Sequence, residues 1–332
     1  MYKGPKVDGL TQSILNDYIG CPFAAYLKLI LGLQDEEGDI TNLIWGDSFH
    51  KGLELLIPNQ DMPKMDALKI ANKGMLEHLK DNYPGAPSSF QYSLPKMLFC
   101  YDLSPFEGDW VTEEIIDELI DVDGHLIRFR GKRDARTDNH PQYGKVLGEH
   151  KCKGYTDPAL CSEELNQDFQ INLYMKLAGI EWVFYDLIKI PDVQKYGPQP
   201  KYGESPEEFV ERIYHGPIGK YGGMYPIYGQ KKQWIHQKAY YIPEEQQELY
   251  WEFTLIPIVK RFCQWYEWVT QTGFDHENPK YYNEIFYRMP VRRFDGRITE
   301  KFKCPYHSFL TGQTSLNDLV PITSHFSELE DL

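Results

Sequence analysis

The chain has 332 residues, of which 42% are hydrophobic and 14% aromatic, and this is enough to bury a sizeable core. Its formal net charge of -14 argues against indiscriminate binding to polyanions, although a local basic surface can still exist. The amino terminus has no apolar run of signal-peptide length, no segment approaches the roughly 20 apolar residues of a membrane helix, and the cysteines form no CxxC pair. Composition therefore predicts a soluble cytoplasmic protein and argues against a disulfide scaffold, a zinc knuckle or a membrane protein.

Apolar residues recur at helical spacing through most of the first hundred residues, and three stretches favour amphipathic helices. They are LTQSILNDYIGCPFAAYLKLILGL, ITNLIWGDSFHKGLELL and MDALKIANKGMLEHL. Asp39 or Thr41 is suited to cap the second of these helices. Residues 1–104 are therefore predicted to form an amino-terminal helical part.

From Asp109 the pattern changes to short runs that contain β-branched residues. WVTEEIIDELID, HLIRFRGKRDART and KVLGEHKCK are separated by turn signals, which is typical of a three-stranded antiparallel meander. LNQDFQINLYMKLAGI then has the period of an amphipathic helix, and EWVFYDLIKI is a mostly apolar run of strand length. Residues 105–192 are thus predicted to form an α/β core in the order three strands, helix, strand, behind the preceding helices.

Residues 193–242 are rich in Gly, Pro, Tyr and Lys, which indicates an extended insertion. Its part from Arg212 to Ile242 contains no Asp or Glu, and cations alternate there with aromatic residues, as in a groove for single-stranded nucleic acid. A glycine-rich loop that packs its aromatic residues on the core explains the pattern equally well. The candidate nucleic-acid contacts are Lys231, Lys232, Trp234 and Lys238, together with Arg292 and Arg293 in a second basic run.

Residues 243–332 are predicted to form a carboxyl-terminal helical region with the acidic tail SELEDL. Its first helix should run from about Glu244 to Thr272. Pro257 should kink this helix because proline removes a main-chain hydrogen bond.

The stretch VLGEHKCKGY points to chemistry, because it places Glu149 and Lys151 on the same face of a strand. A symmetric hairpin closed by residues 139–144 would put Asp134 opposite Glu149. Two opposed carboxylates destabilise a sheet unless a cation lies between them, and Mg²⁺ or Mn²⁺ is the simplest candidate. Lys151 could then orient or deprotonate an attacking water and stabilise a pentacovalent phosphate. Taken alone, the stretch is also compatible with a solvated strand face.

The order of these residues resembles the PD-(D/E)XK nuclease superfamily, with Asp134 on the second strand and Glu149-His150-Lys151 on the third. Three further features resemble its RecB/Cas4-like branch, over roughly residues 10–190. They are the helical series Gly46, His50 and Glu54, the QxxxY motif of Gln170 and Tyr174, and the amino-terminal TQSILNDYIGCPFAAYL.

The resemblance implies a restriction-endonuclease-like α/β fold, with a central mixed sheet flanked by helices. It also implies a site that binds Mg²⁺ or Mn²⁺. The implied metal ligands are His50, Asp134, Glu149 and the main-chain carbonyl of His150. Lys151 would serve the attacking water, while Gln170 and Tyr174 would brace the lysine and touch DNA. A metal role for Glu54 is less well supported.

Many members of this branch carry an iron-sulfur cluster held by four cysteines. Cys21 and Cys304 match two of those positions, but the other two have no counterpart, and Thr311 stands where one would be expected. Four thiolates are needed for such a cluster, so we expect none here and interpret Cys21 as a small buried residue.

The resemblance therefore predicts a metal-dependent DNA nuclease of phage or bacterial type. An exonuclease of replication, recombination or repair that acts on single- or double-stranded DNA ends is favoured. A replication or recombination protein is a candidate partner. The alternatives are a DNA-binding subunit that kept the fold without cleavage and a site-specific endonuclease.

Overall fold

A computed structural model describes residues 9–34, 40–153, 165, 168–190, 205–208, 235–270 and 320–321. Its helices are α1 (Gln12–Gly20), α2 (Pro22–Ala25), α3 (Thr41–Leu56), α4 (Lys64–Asn82), α5 (Phe90–Cys100), α6 (Phe169–Ala178), α7 (Glu244–Tyr250) and α8 (Ile256–Val269). Its strands are β1 (Leu33–Gln34), β2 (Val111–Val122), β3 (His125–His140), β4 (Gly144–Lys153), β5 (Trp182–Lys189), β6 (Ile235–Tyr241) and β7 (Val320–Pro321).

The main sheet has five strands in the order β2-β3-β4-β5-β6. β3 pairs with β4 antiparallel, β4 with β5 parallel, and β5 with β6 antiparallel, so the sheet is mixed. Helix α6 forms the crossover between β4 and β5, as a parallel connection requires. The predicted mixed-sheet α/β fold is confirmed.

The chain divides into two compact units. One comprises residues 39–114 and 132–247, and the other comprises residues 1–38, 115–131 and 248–332. The four-part division expected from the sequence follows different boundaries and stays a prediction. Among the described residues, no helix combines the length and the apolar composition needed to cross a membrane.

The hydrophobic core of the first unit is built on α3, whose Trp45, Phe49 and Leu53 are at most 1% exposed. These residues pack with buried side chains of α4 and α5 and of the central strands. Trp45 also donates its indole N–H to the Ser93 hydroxyl at 3.2 Å. This core is what supports α3 beside the sheet.

In the second unit, α1 and α8 contact each other through aromatic side chains. The ring of Tyr18 meets that of Phe262 edge-on at 5.3 Å, and Trp265 lies 5.2 Å from the same tyrosine. Leu10, which is fully buried, forms a parallel bridge with Phe129 of β3.

Several sequence predictions need correction. The first predicted helix is interrupted at Cys21, which is extended, and a new helix starts at Pro22, where proline is tolerated. Helix α5 was not predicted, because Pro95 lies inside it. Strand β6 lies within the segment expected to be an extended insertion, and the predicted break near Pro257 takes the form of a five-residue π-helical turn, Trp251–Leu255.

Candidate active site

Helix α3 brings His50 to the sheet. The helix can approach the sheet closely because Gly46 has no side chain, and a Cβ there would lie 3.3 Å from the Cβ of Cys152 on β4. One turn later, His50 Nδ1 lies 3.7 Å from Asp134 Oδ1 of β3. Burial alone would lower the pKa of His50, but the nearby charge of Asp134 raises it well above its usual value. The geometry thus favours an imidazolium facing a carboxylate.

Near its turn the hairpin of β3 and β4 pairs His140 with Gly144, and the register shifts by one residue between Thr137 and His140. Beyond this shift the pairing is the one expected from the sequence. Ala135 pairs with Gly148 and Thr137 with Val146. Continuing this register by one pair places Asp134 opposite Glu149, as predicted. At this point the N–H of His150 donates to Asp134 Oδ2 at 2.8 Å.

That hydrogen bond also orients the main-chain carbonyl of His150. In an extended strand, the N–H and C=O of one residue point to the same side. Since the N–H of His150 points toward Asp134, its carbonyl is expected on the same side. This is the orientation that the proposed ligation by the carbonyl requires.

The Glu149 side chain is fully buried. Lys151 contacts its Oε1, while its Oε2 is buried with no hydrogen-bond partner among the described residues. Burial raises the pKa of Glu149 to about 8, and the charge of Asp134 acts in the same direction, against the opposing effect of Lys151. A buried oxygen with no donor in reach is a site where a cation would be favourable.

The Asp134 carboxylate is better compensated than that of Glu149. Burial would raise its pKa, but the charge of His50, followed by the charges of His150 and Lys151, lowers it below its usual value. The repulsion expected between the two opposed carboxylates therefore falls mainly on Glu149.

Lys151 is held between β4 and α6. Its ammonium pairs with Glu149 and donates to Gln170 Oε1 at 2.8 Å. Burial would lower the pKa of Lys151, but the charges of Glu149, Asp168 and Asp134 raise it. Lys151 is thus kept protonated, and its ammonium is held by Glu149 on one side and Gln170 on the other.

Helix α6 positions the QxxxY pair. Asp168 caps the helix by accepting from the Ile171 N–H at 3.1 Å, which fixes the first turn that carries Gln170. Tyr174 lies one turn later, is 4% exposed and hydrogen-bonds with the main chain of Lys132. Burial, followed by the charge of Glu149, raises the pKa of Tyr174. The structure therefore brings Gln170 to the lysine and Tyr174 close to the same cluster.

The donor set fits a hard divalent cation in its chemistry, with two carboxylates, an imidazole and a main-chain carbonyl. Among the described residues, however, no group of three or more His, Cys, Asp or Glu side chains is close enough as it stands to hold a metal ion. His50 and Lys151 are instead engaged with the two carboxylates. Binding a cation would require these ion pairs to open, so metal and protons should compete for the site.

Asp186 and Tyr101 were missed by the sequence interpretation. Asp186 lies on β5 beside His150 of β4 and is 1% exposed. Its Oδ2 lies 2.9 Å from His150 Nδ1 and accepts from the Tyr101 hydroxyl. The available signal was a lone aspartate within the apolar run WVFYDLI.

The positions of the other predicted site residues say less about the site. Glu54 pairs with Lys51 of the same helix at 2.8 Å. Lys238 is exposed on β6, with its ammonium 4.7 Å from the ring centre of Tyr240. Cys21 is buried, as expected. The remaining candidates lie outside the described residues: Lys231, Lys232, Trp234, Arg292, Arg293 and Cys304.

Glu149→Gln should remove part of the pH dependence of stability in EDTA. The pKa of Glu149 in the folded chain, raised from 4.5 to about 8, means that folding disfavours its charged form. Its contribution to stability is therefore lost as the pH rises through this window. Gln keeps the shape without ionising, so the variant should gain in melting temperature over wild type between pH 5 and pH 9. Thermal melts at both pH values measure this gain, and an equal difference at the two would contradict the raised pKa.

Comparison with known proteins gives one family. The model of the PD-(D/E)XK nuclease superfamily matches residues 9–183. No curated protein matches the chain significantly. Among solved structures, the crystal structure of SSO0001 aligns with 12% sequence identity and a TM-score of 0.31, covering 77% of this chain and 98% of that chain.

Proposed function

Because the chain belongs to the PD-(D/E)XK nuclease superfamily, we propose that it is a metal-dependent deoxyribonuclease that hydrolyses phosphodiester bonds. The observation that carries this proposal is the partly buried cluster in which Asp134 accepts from the main chain of His150, next to Glu149, while Lys151 is held between Glu149 and Gln170. A catalytically silent subunit would need neither an intact carboxylate pair nor a clamped lysine.

The proposed metal ligands are His50, Asp134, Glu149 and the main-chain carbonyl of His150. When bound, Mg²⁺ or Mn²⁺ would supply Lewis-acid polarisation of the scissile phosphate. Lys151 would orient the attacking water and donate to the phosphate oxygens as their negative charge grows. Its raised pKa favours this donor role over that of a neutral amine that takes a proton. Gln170 would hold the lysine in place.

We further propose an exonuclease that acts in DNA replication, recombination or repair. This is supported by the motifs that resemble the RecB/Cas4-like branch, namely His50 on α3 and the Gln170–Tyr174 pair on α6. A replication or recombination protein would be a fitting partner, and no iron-sulfur cluster is expected.

Digestion of labelled DNA tests these proposals together. End-labelled single-stranded and double-stranded DNA and closed circular DNA are each incubated with the protein and Mg²⁺ or Mn²⁺. We expect shortening of the linear substrates from their ends and no change in the circle. Linearised circles would instead indicate an endonuclease. No cleavage of any substrate, with DNA binding retained, would indicate a silent DNA-binding subunit.

Neutralising three lysines tests the proposed nucleic-acid groove. Replacing Lys231, Lys232 and Lys238 together with Ala should flatten the dependence of log K for single-stranded DNA on log salt, by about 0.7 for each lost phosphate contact. The slope is measured by titration at several salt concentrations. A matched control is the replacement of three lysines exposed on α4, Lys69, Lys73 and Lys80, which changes the net charge equally. The same slope in wild type and the first variant would contradict the groove.

A further inference from the structure

A buried hydrogen-bonded network lies beside the proposed metal site. It joins Tyr101 at the end of α5, Asp186 on β5 and His150 on β4, which are 0%, 1% and 2% exposed. His150 Nδ1 lies 2.9 Å from Asp186 Oδ2 and 3.4 Å from the Tyr101 hydroxyl, which also donates to Asp186 Oδ2. None of these side chains belongs to the motif that identified the site.

The network occupies the face of β4 opposite to Glu149 and Lys151, because neighbouring side chains on a strand alternate between faces. His150 and Asp186 are directly paired across the parallel strands, which places their side chains together on this face. The His150 residue is thus held from two directions. Asp134 accepts its main-chain N–H at 2.8 Å, and Asp186 holds its imidazole.

Stability does not explain this arrangement. Asp186 Oδ1 and His150 Nε2 are buried and have no hydrogen-bond partner among the described residues. A buried carboxylate with one unpaired oxygen costs free energy, and apolar side chains of similar size would avoid that cost. The contacts that the network does provide hold the imidazole of His150.

We propose that Asp186 and Tyr101 are positioning residues that hold the His150 peptide so that its carbonyl oxygen faces the divalent cation. This inference rests on the proposed function, because it requires the carbonyl to be a metal ligand. Removing a group that hydrogen-bonds a metal ligand typically lowers metal affinity or activity by about 10- to 100-fold. Asp186 and Tyr101 would act through the carbonyl, without touching the cation or DNA.

Two conservative variants test the proposal, Tyr101→Phe and Asp186→Asn. Each keeps the shape of the side chain and removes a hydroxyl or a charge. The Mn²⁺ concentration that gives half of the maximal cleavage rate should rise about 10-fold or more, while the rate at saturating Mn²⁺ stays within about threefold of wild type. The Mn²⁺ concentration at the midpoint of the metal-dependent rise in melting temperature should move by the same factor.

The chain offers a matched control with the same three residue types. Tyr83 donates to Asp47 Oδ2 at 2.9 Å, and His78 Nε2 lies 2.5 Å from the same oxygen. Tyr83 directly follows α4, and Tyr83→Phe removes an equivalent hydroxyl from a contact with Asp47 of α3. This variant should leave both Mn²⁺ concentrations unchanged. A purely structural role for Tyr101 would instead lower the melting temperature in EDTA and the maximal rate, without a change in either Mn²⁺ midpoint.

The outcomes separate this proposal from the proposed function. If wild type cleaves DNA with Mn²⁺ and Tyr101→Phe has the wild-type midpoints, the positioning role is wrong and the nuclease assignment stands. If wild type does not cleave, the melting midpoints still compare the variants, and a shift confined to Tyr101→Phe and Asp186→Asn supports the positioning role. If wild type shows neither cleavage nor a Mn²⁺-dependent melting shift, with or without uncleavable DNA, both proposals fail.

Discussion

Asp134→Asn and Glu149→Gln should each abolish cleavage of labelled DNA by Mg²⁺ or Mn²⁺ and leave DNA affinity within a few fold of wild type. Each substitution removes a charged oxygen ligand that a hard cation prefers. Neither changes a surface lysine or arginine, so the electrostatic attraction for the DNA backbone is retained. The measurements are the single-turnover cleavage rate and a binding titration in EDTA.

A suitable control for these variants is Asp138→Asn on the same strand. Asp138 is paired with Arg136, and its side chain is 57% exposed. This variant should cleave DNA like wild type, which would show that removing a charge from β3 is not harmful in itself. Retained cleavage in both Asp134→Asn and Glu149→Gln would rule out the proposed site.

Lys151→Ala should lower the cleavage rate by roughly 10³-fold or more, because the ammonium is required where negative charge grows in the transition state. The variant should bind Mn²⁺ at least as well as wild type, since Lys151 now occupies Glu149 Oε1 and repels a cation. Cleavage kinetics at saturating Mn²⁺, together with Mn²⁺-dependent melting, separate the two effects.

The matched control for Lys151 is Lys145→Ala. Lys145 lies at the other end of β4 and is exposed. Its replacement should leave the rate within a few fold of wild type. A loss of Mn²⁺ affinity in Lys151→Ala as large as its loss of rate would contradict a role confined to the transition state.

The sequence predicts the pairing of Ala135 with Gly148, although it does not predict the one-residue shift between this pair and the turn. Alternation along β4 then places Glu149 and Lys151 on one face. His50 and Gln170 were expected only from the resemblance to the family, since the spacing along their helices does not by itself assign them a role.

The parts that were not predicted depend on tertiary packing. Helix α5 forms despite Pro95 because Phe90, Leu94 and Leu98 are completely buried in the core. Strand β6 lies in a region whose glycine and tyrosine content indicates a loop, yet it completes the sheet by pairing with β5.

The network behind His150 shows the same limit. Tyr101, His150 and Asp186 come from three elements, and no local spacing relates them. An apolar strand with one aspartate signals a buried carboxylate, but its partners are determined only when α5 and β4 pack beside it. Likewise, the motif that contains Glu149 does not indicate that its Oε2 has no hydrogen-bond partner within the described part of the chain.

Metal-dependent melting tests the central claim most directly, in the presence of uncleavable DNA so that an affinity that requires substrate is also detected. Mn²⁺ at about 100 times its dissociation constant should stabilise wild type and Lys151→Ala by roughly 2.7 kcal/mol each, and it should stabilise Asp134→Asn and Glu149→Gln far less. Equal stabilisation of wild type, Asp134→Asn and Glu149→Gln by Mn²⁺ would show that the cation binds elsewhere and would contradict the account.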